Sequence, residues 1–159
     1  MNIKVLGAFA AMSLLAACTT PATTTATTGD SNTSKAAQGI VPGSQEDLVA
    51  NVGDRVLYDF NKSVLTAQDK AVLDKQAAWL KTYSTNAVQL AGNCDERGTE
   101  EYNIALGQRR ANAARDYLVA KGVASARIAT ISYGKDRPVD PASNEAAWAK
   151  NRNAITSVK

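Results

Sequence analysis

The sequence predicts an α/β (α+β) sandwich in which helices pack on one small mixed sheet. Two observations support this fold class. The 159 residues have room for one ordinary domain with appendages, but not for two domains. From about residue 51 onward, β-prone segments alternate with segments of helical periodicity in the order βαβαβ(α)β. That order favours helices layered on a sheet.

The first half of the pattern is strand, helix, strand. Residues 55–60 (RVLYDF) form a short β-prone run. Residues 66–69 (TAQD) are typical of a capping box at a helix start, and apolar side chains follow at helical spacing. In residues 88–93, Val88, Leu90 and Gly92 alternate with Gln89, Ala91 and Asn93, and this alternation predicts the second strand.

The second half is built around a long helix. A polar loop at residues 94–99 leads into this helix, which we expect to run from about Glu100 to Lys121. Gly122 follows in the position of a C′ glycine, the residue that most often ends a helix. The remaining elements are a strand at 128–133, a short helix near 144–150 and a last strand at 153–158.

The N-terminus has the pattern of an export signal. Lys4 precedes a small and apolar run from Val5 to Ala17, and these 13 residues are too few to span a bilayer as a helix. The run ends in Leu-Ala-Ala-Cys18, which resembles the bacterial lipobox. This resemblance implies that residues 1–17 are removed and that Cys18 is acylated. Threonine rather than aspartate follows Cys18, which in such lipoproteins favours transfer to the outer membrane.

Residues 18–50 are predicted to be a flexible tether carrying the lipid. Residues 19–34 contain eight threonines and no aliphatic side chain larger than alanine. Such a segment buries too little apolar surface to offset the entropy of ordering it. Fully stretched, the tether would reach on the order of 100 Å. We therefore expect residues 51–159 to be the globular domain, held near a membrane by a long linker.

Charge and composition exclude several classes of function. The net charge is +3, and no run of basic residues concentrates it, so a nucleic-acid partner is not expected. The chain has no histidine. This absence removes the Ser-His and Cys-His arrangements of nucleophilic catalysis and argues against an ordinary zinc site. We expect no enzymatic activity, no cofactor and no metal.

The remaining possibility is capture of a small zwitterionic or anionic group. Asp95 lies in a glycine-bearing loop after a strand, while Asn103, Leu106 and Arg110 form one stripe on the following helix. If the loop folds over that stripe, the Asp95 carboxylate meets a ligand amine and the Arg110 fork grips a ligand carboxylate. An ordinary structural ion pair between Asp95 and Arg110 is the alternative.

The longest motif in the chain resembles the central motif of OmpA-like peptidoglycan-binding domains. It reads NCDERGTEEYNIALGQRRANA at residues 93–113. Residues 56–63 (VLYDFNKS), 131–138 (ISYGKDRP) and 149–152 (AKNR) match other segments of that family. The resemblance covers roughly residues 52–158 and implies the OmpA-like sandwich.

The resemblance also implies a ligand and a set of site residues. Proteins of this family bind the peptide stem of peptidoglycan noncovalently, chiefly at diaminopimelate. The matching positions in this chain are Asp95, Arg110, Leu106 and Phe60, and we add Asn61 and Asn103. The departures from the family's usual pattern are Asn61 in place of aspartate, Asn93 in place of histidine, Cys94 in place of threonine or alanine, and Asn153 in place of arginine.

Partners follow from the resemblance as well. It implies a lipoprotein of the outer membrane that faces the periplasm and tethers that membrane to peptidoglycan. It also implies a role in envelope integrity and cell division, together with the Tol-system proteins TolB and TolA. The alternative is a lipoprotein outside the Tol system that acts mainly as a scaffold for other proteins. Cys94, with Cys18 acylated, is left either buried or available for a disulfide between chains.

Overall fold

A computed structural model of the chain describes residues 39–159. The helices are α1 (Gln45–Asp47), α2 (Ala67–Thr82), α3 (Glu100–Ala120) and α4 (Glu145–Asn151), with a π-helical turn at Leu48–Val52 and a 3₁₀ turn at Ser125–Arg127. The strands are β1 (Arg55–Leu57), β2 (Val88–Asn93), β3 (Ile128–Gly134) and β4 (Asn153–Val158). The predicted signal peptide, Cys18 and most of the predicted tether lie outside the described residues. Within the described part, no helix has the length and apolar character needed to cross a membrane.

The strands form one mixed sheet in the order β1-β4-β2-β3. β4 runs antiparallel to both β1 and β2, whereas β2 and β3 are parallel. The helices α2 and α3 pack with the sheet around a core whose least exposed side chains include Leu73, Leu80, Val88, Leu90 and Leu118. The predicted fold class and the predicted order of elements are confirmed.

The first strand is shorter than the predicted 55–60. Only residues 55–57 pair with β4, and just beyond them the Tyr58 N–H donates a 2.9 Å hydrogen bond to the Arg152 carbonyl. The chain then turns, with the Lys62 N–H bonded to the Asp59 carbonyl and Asn61 at a φ of 57°. This turn carries Phe60 and Asn61 away from the sheet and toward α3.

The packed domain begins before Asn51, the start predicted from the sequence. Leu48 is fully buried in the core, and the Asp47 carboxylate accepts a 2.8 Å hydrogen bond from the Trp79 indole N–H. The same carboxylate accepts bonds from the Gly43 N–H and the Asn51 amide. The polar residues around Pro42 made this segment resemble the tether, whereas these tertiary contacts show that it is part of the domain.

The capping box of α2 also ties the helix to the sheet. The Thr66 hydroxyl accepts from the Asp69 N–H, and the Asp69 carboxylate accepts from the Thr66 N–H and hydroxyl. The same carboxylate accepts from the N–H of Leu57 in β1, at 3.0 Å. One buried side chain therefore satisfies the helix start and an edge-strand donor together.

Replacing Asp69 with alanine should lower the free energy of unfolding by about 2 kcal/mol, because it removes a cap and leaves a strand N–H unpaired. Urea denaturation followed by circular dichroism measures this change. Asp116→Ala is a matched control, since that carboxylate is exposed and, among residues 39–159, is bonded to its neighbour Arg115 alone. An effect of Asp69→Ala no larger than that of Asp116→Ala would contradict the assigned role.

Candidate ligand-binding site

A pocket of about 150 Å³ lies where the turn after β1, the loop after β2 and the first half of α3 meet. Its lining residues are Phe60, Asn61, Cys94, Asp95, Arg97, Gly98, Tyr102, Asn103, Leu106 and Arg110. The six predicted pocket residues, Phe60, Asn61, Asp95, Asn103, Leu106 and Arg110, all belong to this lining. The loop after β2 therefore lies against the helical stripe, which is the condition on which the sequence argument for a pocket depended.

Two glycines allow α3 to approach the sheet closely enough to form this pocket. A Cβ on Gly92 of β2 would overlap the Gly107 carbonyl oxygen of α3 and lie 2.6 Å from its carbon. A Cβ on Gly107 would overlap the Ser132 hydroxyl and lie 2.7 Å from the Gly92 carbonyl oxygen. Because both residues lack a side chain, the helix backbone rests directly on β2, two residues before the loop that follows this strand begins at Cys94.

Arg110 is the most enclosed charge of the pocket, with 1% of its surface exposed. Its guanidinium donates to the carbonyls of Lys62, Asn93 and Asp59 at 2.8–3.1 Å and to the Cys94 sulfur at 3.3 Å. Burial lowers the pKa of Arg110 from its ordinary value. A guanidinium has five N–H donors, so these four contacts leave one for a ligand. The predicted two-bond grip on a carboxylate is therefore unavailable in this conformation.

Asp95 is also buried, at 4% exposed, but its partners differ from those predicted. Its carboxylate accepts two bonds from the Arg97 side chain, one from the Arg97 N–H and one from Arg152. Burial acts to raise the pKa of Asp95, but the hydrogen bonds from Arg97 and Arg152 outweigh it and lower the pKa. The carboxylate is thus ionised at neutral pH.

The alternative of a plain Asp95–Arg110 ion pair is wrong. The salt bridges of Asp95 run to Arg97 and Arg152, at 2.7 and 3.2 Å, and the guanidinium of Arg110 is bonded to backbone carbonyls and a sulfur. Both charges line the pocket without forming a salt bridge to each other.

Two arginines of the site, Arg97 and Arg152, have no role predicted from the sequence. Arg97 belongs to the central motif and Arg152 to the later AKNR segment, so both were visible as motif positions. Arg152 also donates to the Tyr58 carbonyl and to Glu145, and its side chain is 8% exposed. Its contact with Asp95 spans 57 residues of chain, and no local pattern encodes such a pairing.

Two departures from the family pattern are in contact with each other. The amide of Asn93 donates to the side-chain oxygen of Asn153 at 2.7 Å, and these residues are 3% and 0% exposed. The amide of Asn153 donates onward to the Lys150 carbonyl. Asn93 and Asn153 therefore form a neutral buried pair. A third departure, Asn61, still provides a hydrogen-bond acceptor in the pocket lining, where its side-chain oxygen accepts a hydrogen bond from the Tyr102 hydroxyl.

Cys94 is buried, as expected for one of the two alternatives. It is 3% exposed, its thiol donates to the Asn103 carbonyl at 3.3 Å, and burial raises its pKa. The thiolate that reacts with electrophiles is consequently disfavoured.

In a Cys18→Ser background, a bulky maleimide should therefore label Cys94 at least ten-fold more slowly in folded than in urea-unfolded protein. Mass spectrometry over time follows the reaction. Ser84→Cys supplies an exposed control thiol in a turn and should react at similar rates in both states. Labelling of native Cys94 as fast as the control would show that the loop after β2 opens readily.

Within residues 39–159, no three acidic or cysteine side chains converge closely enough to hold a metal ion. The chemistry available to the pocket is recognition by charge and hydrogen bonds, with Leu106 and Phe60 as its apolar surfaces.

Comparison with known proteins places the chain in a family. A profile of the OmpA family matches residues 57–152, which is more than half of the chain. The chain belongs to the OmpA family. This confirms the resemblance carried by the central motif, and the family assignment agrees with a binding protein that is not an enzyme.

Relatives support the assignment beyond the domain profile. A peptidoglycan-associated lipoprotein from Mesorhizobium japonicum is 50% identical over 117 residues, covering 74% of this chain and 70% of that protein. One from Pasteurella multocida is 39% identical over 153 residues, covering 96% and 95%. The crystal structure of the peptidoglycan-associated lipoprotein from Burkholderia pseudomallei matches with a TM-score of 0.65 and 40% identity, covering 67% of this chain and 90% of that one.

Proposed function

We propose that this OmpA-family protein binds the peptide stem of peptidoglycan noncovalently, through the zwitterionic end of diaminopimelate. The observation that carries the proposal is one pocket lined by a buried carboxylate, Asp95, and a buried guanidinium, Arg110, that form no salt bridge with each other. The choice of peptidoglycan as the polymer is supported by the relatives, which are named peptidoglycan-associated lipoproteins.

In this proposal each group of the ligand has a counterpart in the pocket. The diaminopimelate amine faces Asp95, and its carboxylate receives the remaining N–H of Arg110. The methylene chain of the ligand packs against Leu106 and Phe60. Charge-assisted hydrogen bonds of this kind contribute roughly 1.5–3 kcal/mol each, so two of them and an apolar contact suffice for reversible binding.

The finer part of the proposal concerns place and partners. An acylated Cys18 would hold the chain in the outer membrane, with the domain in the periplasm and the threonine-rich segment as the linker to the wall. Such a protein would tether the outer membrane to the wall and work with the Tol-system proteins TolB and TolA in envelope integrity and division. Recovery of those proteins in pull-downs from crosslinked envelopes separates this role from a scaffold outside the Tol system.

Calorimetric titration of the full chain in detergent with a stem peptide ending in diaminopimelate tests the binding. We expect saturable binding, and weaker binding of the matched lysine peptide, because lysine has the amine without the second carboxylate. Equal affinity for the two peptides would remove Arg110 from the proposed ligand contacts, and absence of binding would remove the proposed function.

Cys18→Ser should release the protein from the outer-membrane fraction, because acylation requires the thiol. Fractionation after the wall has been digested with lysozyme measures membrane attachment without the contribution of wall binding. Cys94→Ser is the matched control and should remain in the membrane. A Cys18→Ser protein that still fractionates with the membrane would contradict the anchor.

A further inference from the structure

We propose that Arg97 is an internal occupant of the subsite for the ligand amine, and that a ligand binds by displacing its guanidinium from Asp95. This inference rests on the proposed function. It adds a requirement that the ligand bring its own cation, and it assigns a role in specificity to a residue at the pocket wall.

The guanidinium of Arg97 is held as a bound cation would be. Its Nε and Nη2 atoms donate to the two carboxylate oxygens of Asp95 at 3.1 and 2.7 Å. Its carbon lies 4.1 Å from the ring centroids of both Phe60 and Trp148. Its third nitrogen is 3.6 Å from the Glu145 carboxylate. Two aromatic faces and two carboxylates make a cation-binding box, and Arg97 fills it.

The carboxylate of Asp95 has no acceptor position left for a ligand. An ionised carboxylate offers about four lone-pair sites. Oδ1 accepts from the Arg97 N–H and Nε, and Oδ2 accepts from Arg97 Nη2 and Arg152 Nη1. An ammonium group therefore reaches Asp95 only when one of these donors leaves.

The Arg97 side chain is the donor that can leave most easily. It is 31% exposed, whereas the Arg152 side chain is 8% exposed and is also bonded to the Tyr58 carbonyl and Glu145. When the Arg97 guanidinium swings into solvent, its backbone N–H and Arg152 still hold the carboxylate in place. Two acceptor positions then become free on a carboxylate that points into the pocket.

This exchange determines which ligands bind. A ligand with a free ammonium replaces one cation by another and keeps the buried carboxylate compensated. A ligand whose amine is acetylated would expel Arg97 without restoring the lost charge interactions. Binding therefore selects a cationic end, and the observed affinity is the difference between the ligand's contacts and those that Arg97 gives up.

Calorimetric titration of the full chain in detergent with the diaminopimelate stem peptide tests the exchange. Arg97→Ala should bind this peptide on the order of ten-fold more tightly than the wild type, since no internal cation has to be displaced. Arg97→Lys should fall between the two, because an ammonium bonds to Asp95 but lacks the planar group that fits between two rings. Arg115→Ala removes the same charge from an exposed site bonded to Asp116 and should leave the affinity unchanged.

Two further measurements, on Trp148→Ala and on the wild type, do not depend on the fold of Arg97→Ala. Trp148→Ala removes one wall of the box while leaving Arg97 present, and it too should tighten binding of the peptide. In the wild type, adding the peptide should shift the indole N–H resonance of Trp148. Adding the same peptide acetylated on its diaminopimelate amine should leave this resonance in place. In Arg97→Ala the resonance of Trp148 should already differ before any peptide is added.

The outcomes separate the two proposals. Tighter binding by Arg97→Ala and Trp148→Ala, with Arg115→Ala unchanged, supports displacement. Unchanged or weaker binding by both variants, with normal binding by the wild type, overturns displacement and leaves the proposed function standing. Absence of peptide binding in the wild type and in both variants overturns the proposed function, and the exchange with it.

Discussion

Replacing Arg110 with alanine is expected to weaken binding of the stem peptide by on the order of 2–4 kcal/mol, because a buried charge-assisted contact loses its donor. The same change should lower the melting temperature, since the carbonyls of Asp59, Lys62 and Asn93 lose their shared partner. Arg110→Lys should also bind the peptide much more weakly and melt at a lower temperature, because one ammonium cannot reach three carbonyls and a ligand together. Calorimetry and thermal melts measure the two effects separately.

Arg115→Ala is the matched control for Arg110, since it lies on the same helix and changes the charge equally from an exposed position. It should alter neither affinity nor melting temperature by a measurable amount. An Arg110→Ala protein that melts much lower but binds the peptide with unchanged affinity would show that Arg110 is purely structural.

Asp95→Asn adds a test of whether the two charges act on one ligand. Asp95 and Arg110 form no salt bridge or hydrogen bond with each other, since each is bonded to other groups. If both residues contact the same ligand, the double variant Asp95→Asn/Arg110→Ala should lose less free energy of peptide binding than the sum of the two single losses. In thermal stability, the two losses should be closer to additive. Equal coupling in both measurements would place the interaction within the protein instead of in the ligand.

The sequence was informative where the physics is local. The capping box at Thr66 and Asp69 and the C′ glycine Gly122, at a φ of 93°, each depend on a few neighbouring residues, and the structure confirms them. The stripe of Asn103, Leu106 and Arg110 was equally accessible, because helical spacing alone puts these side chains on one face.

Long-range pairings could not be predicted in the same way. Arg152 reaches Asp95 across 57 positions, and only the antiparallel placement of β4 beside β2 brings them together. The bond from Trp79 to Asp47 likewise adds to the domain a segment whose composition resembled the tether. Two of the three carbonyls that bind Arg110, those of Asp59 and Lys62, lie in the turn after β1, and no residue pattern near Arg110 predicts these contacts.

The close approach of α3 to β2 gives the second large expected effect. Gly92→Ala should lower the free energy of unfolding by about 3 kcal/mol or more, because the new methyl group would overlap backbone of α3 at Gly107. A backbone contact cannot be relieved by rotating a side chain, so the helix has to move from the strand. For a domain of this size, such a loss lowers the melting temperature by roughly 10–20 °C.

Gly39→Ala is the control, since nothing lies within 4 Å of its added Cβ, and its effect on the melting temperature should be negligible. Gly107→Ala should be milder than Gly92→Ala, because the Ser132 hydroxyl can rotate away and alanine favours the helix, and because the remaining backbone contact, 2.7 Å to the Gly92 carbonyl oxygen, is less severe than the overlap at Gly92. Residual folded Gly92→Ala protein should also bind the stem peptide more weakly, since moving α3 separates Arg110 from the Asp95 loop. Gly92→Ala with wild-type stability and affinity would mean that helix and strand can part without cost, and that their contact does not shape the pocket.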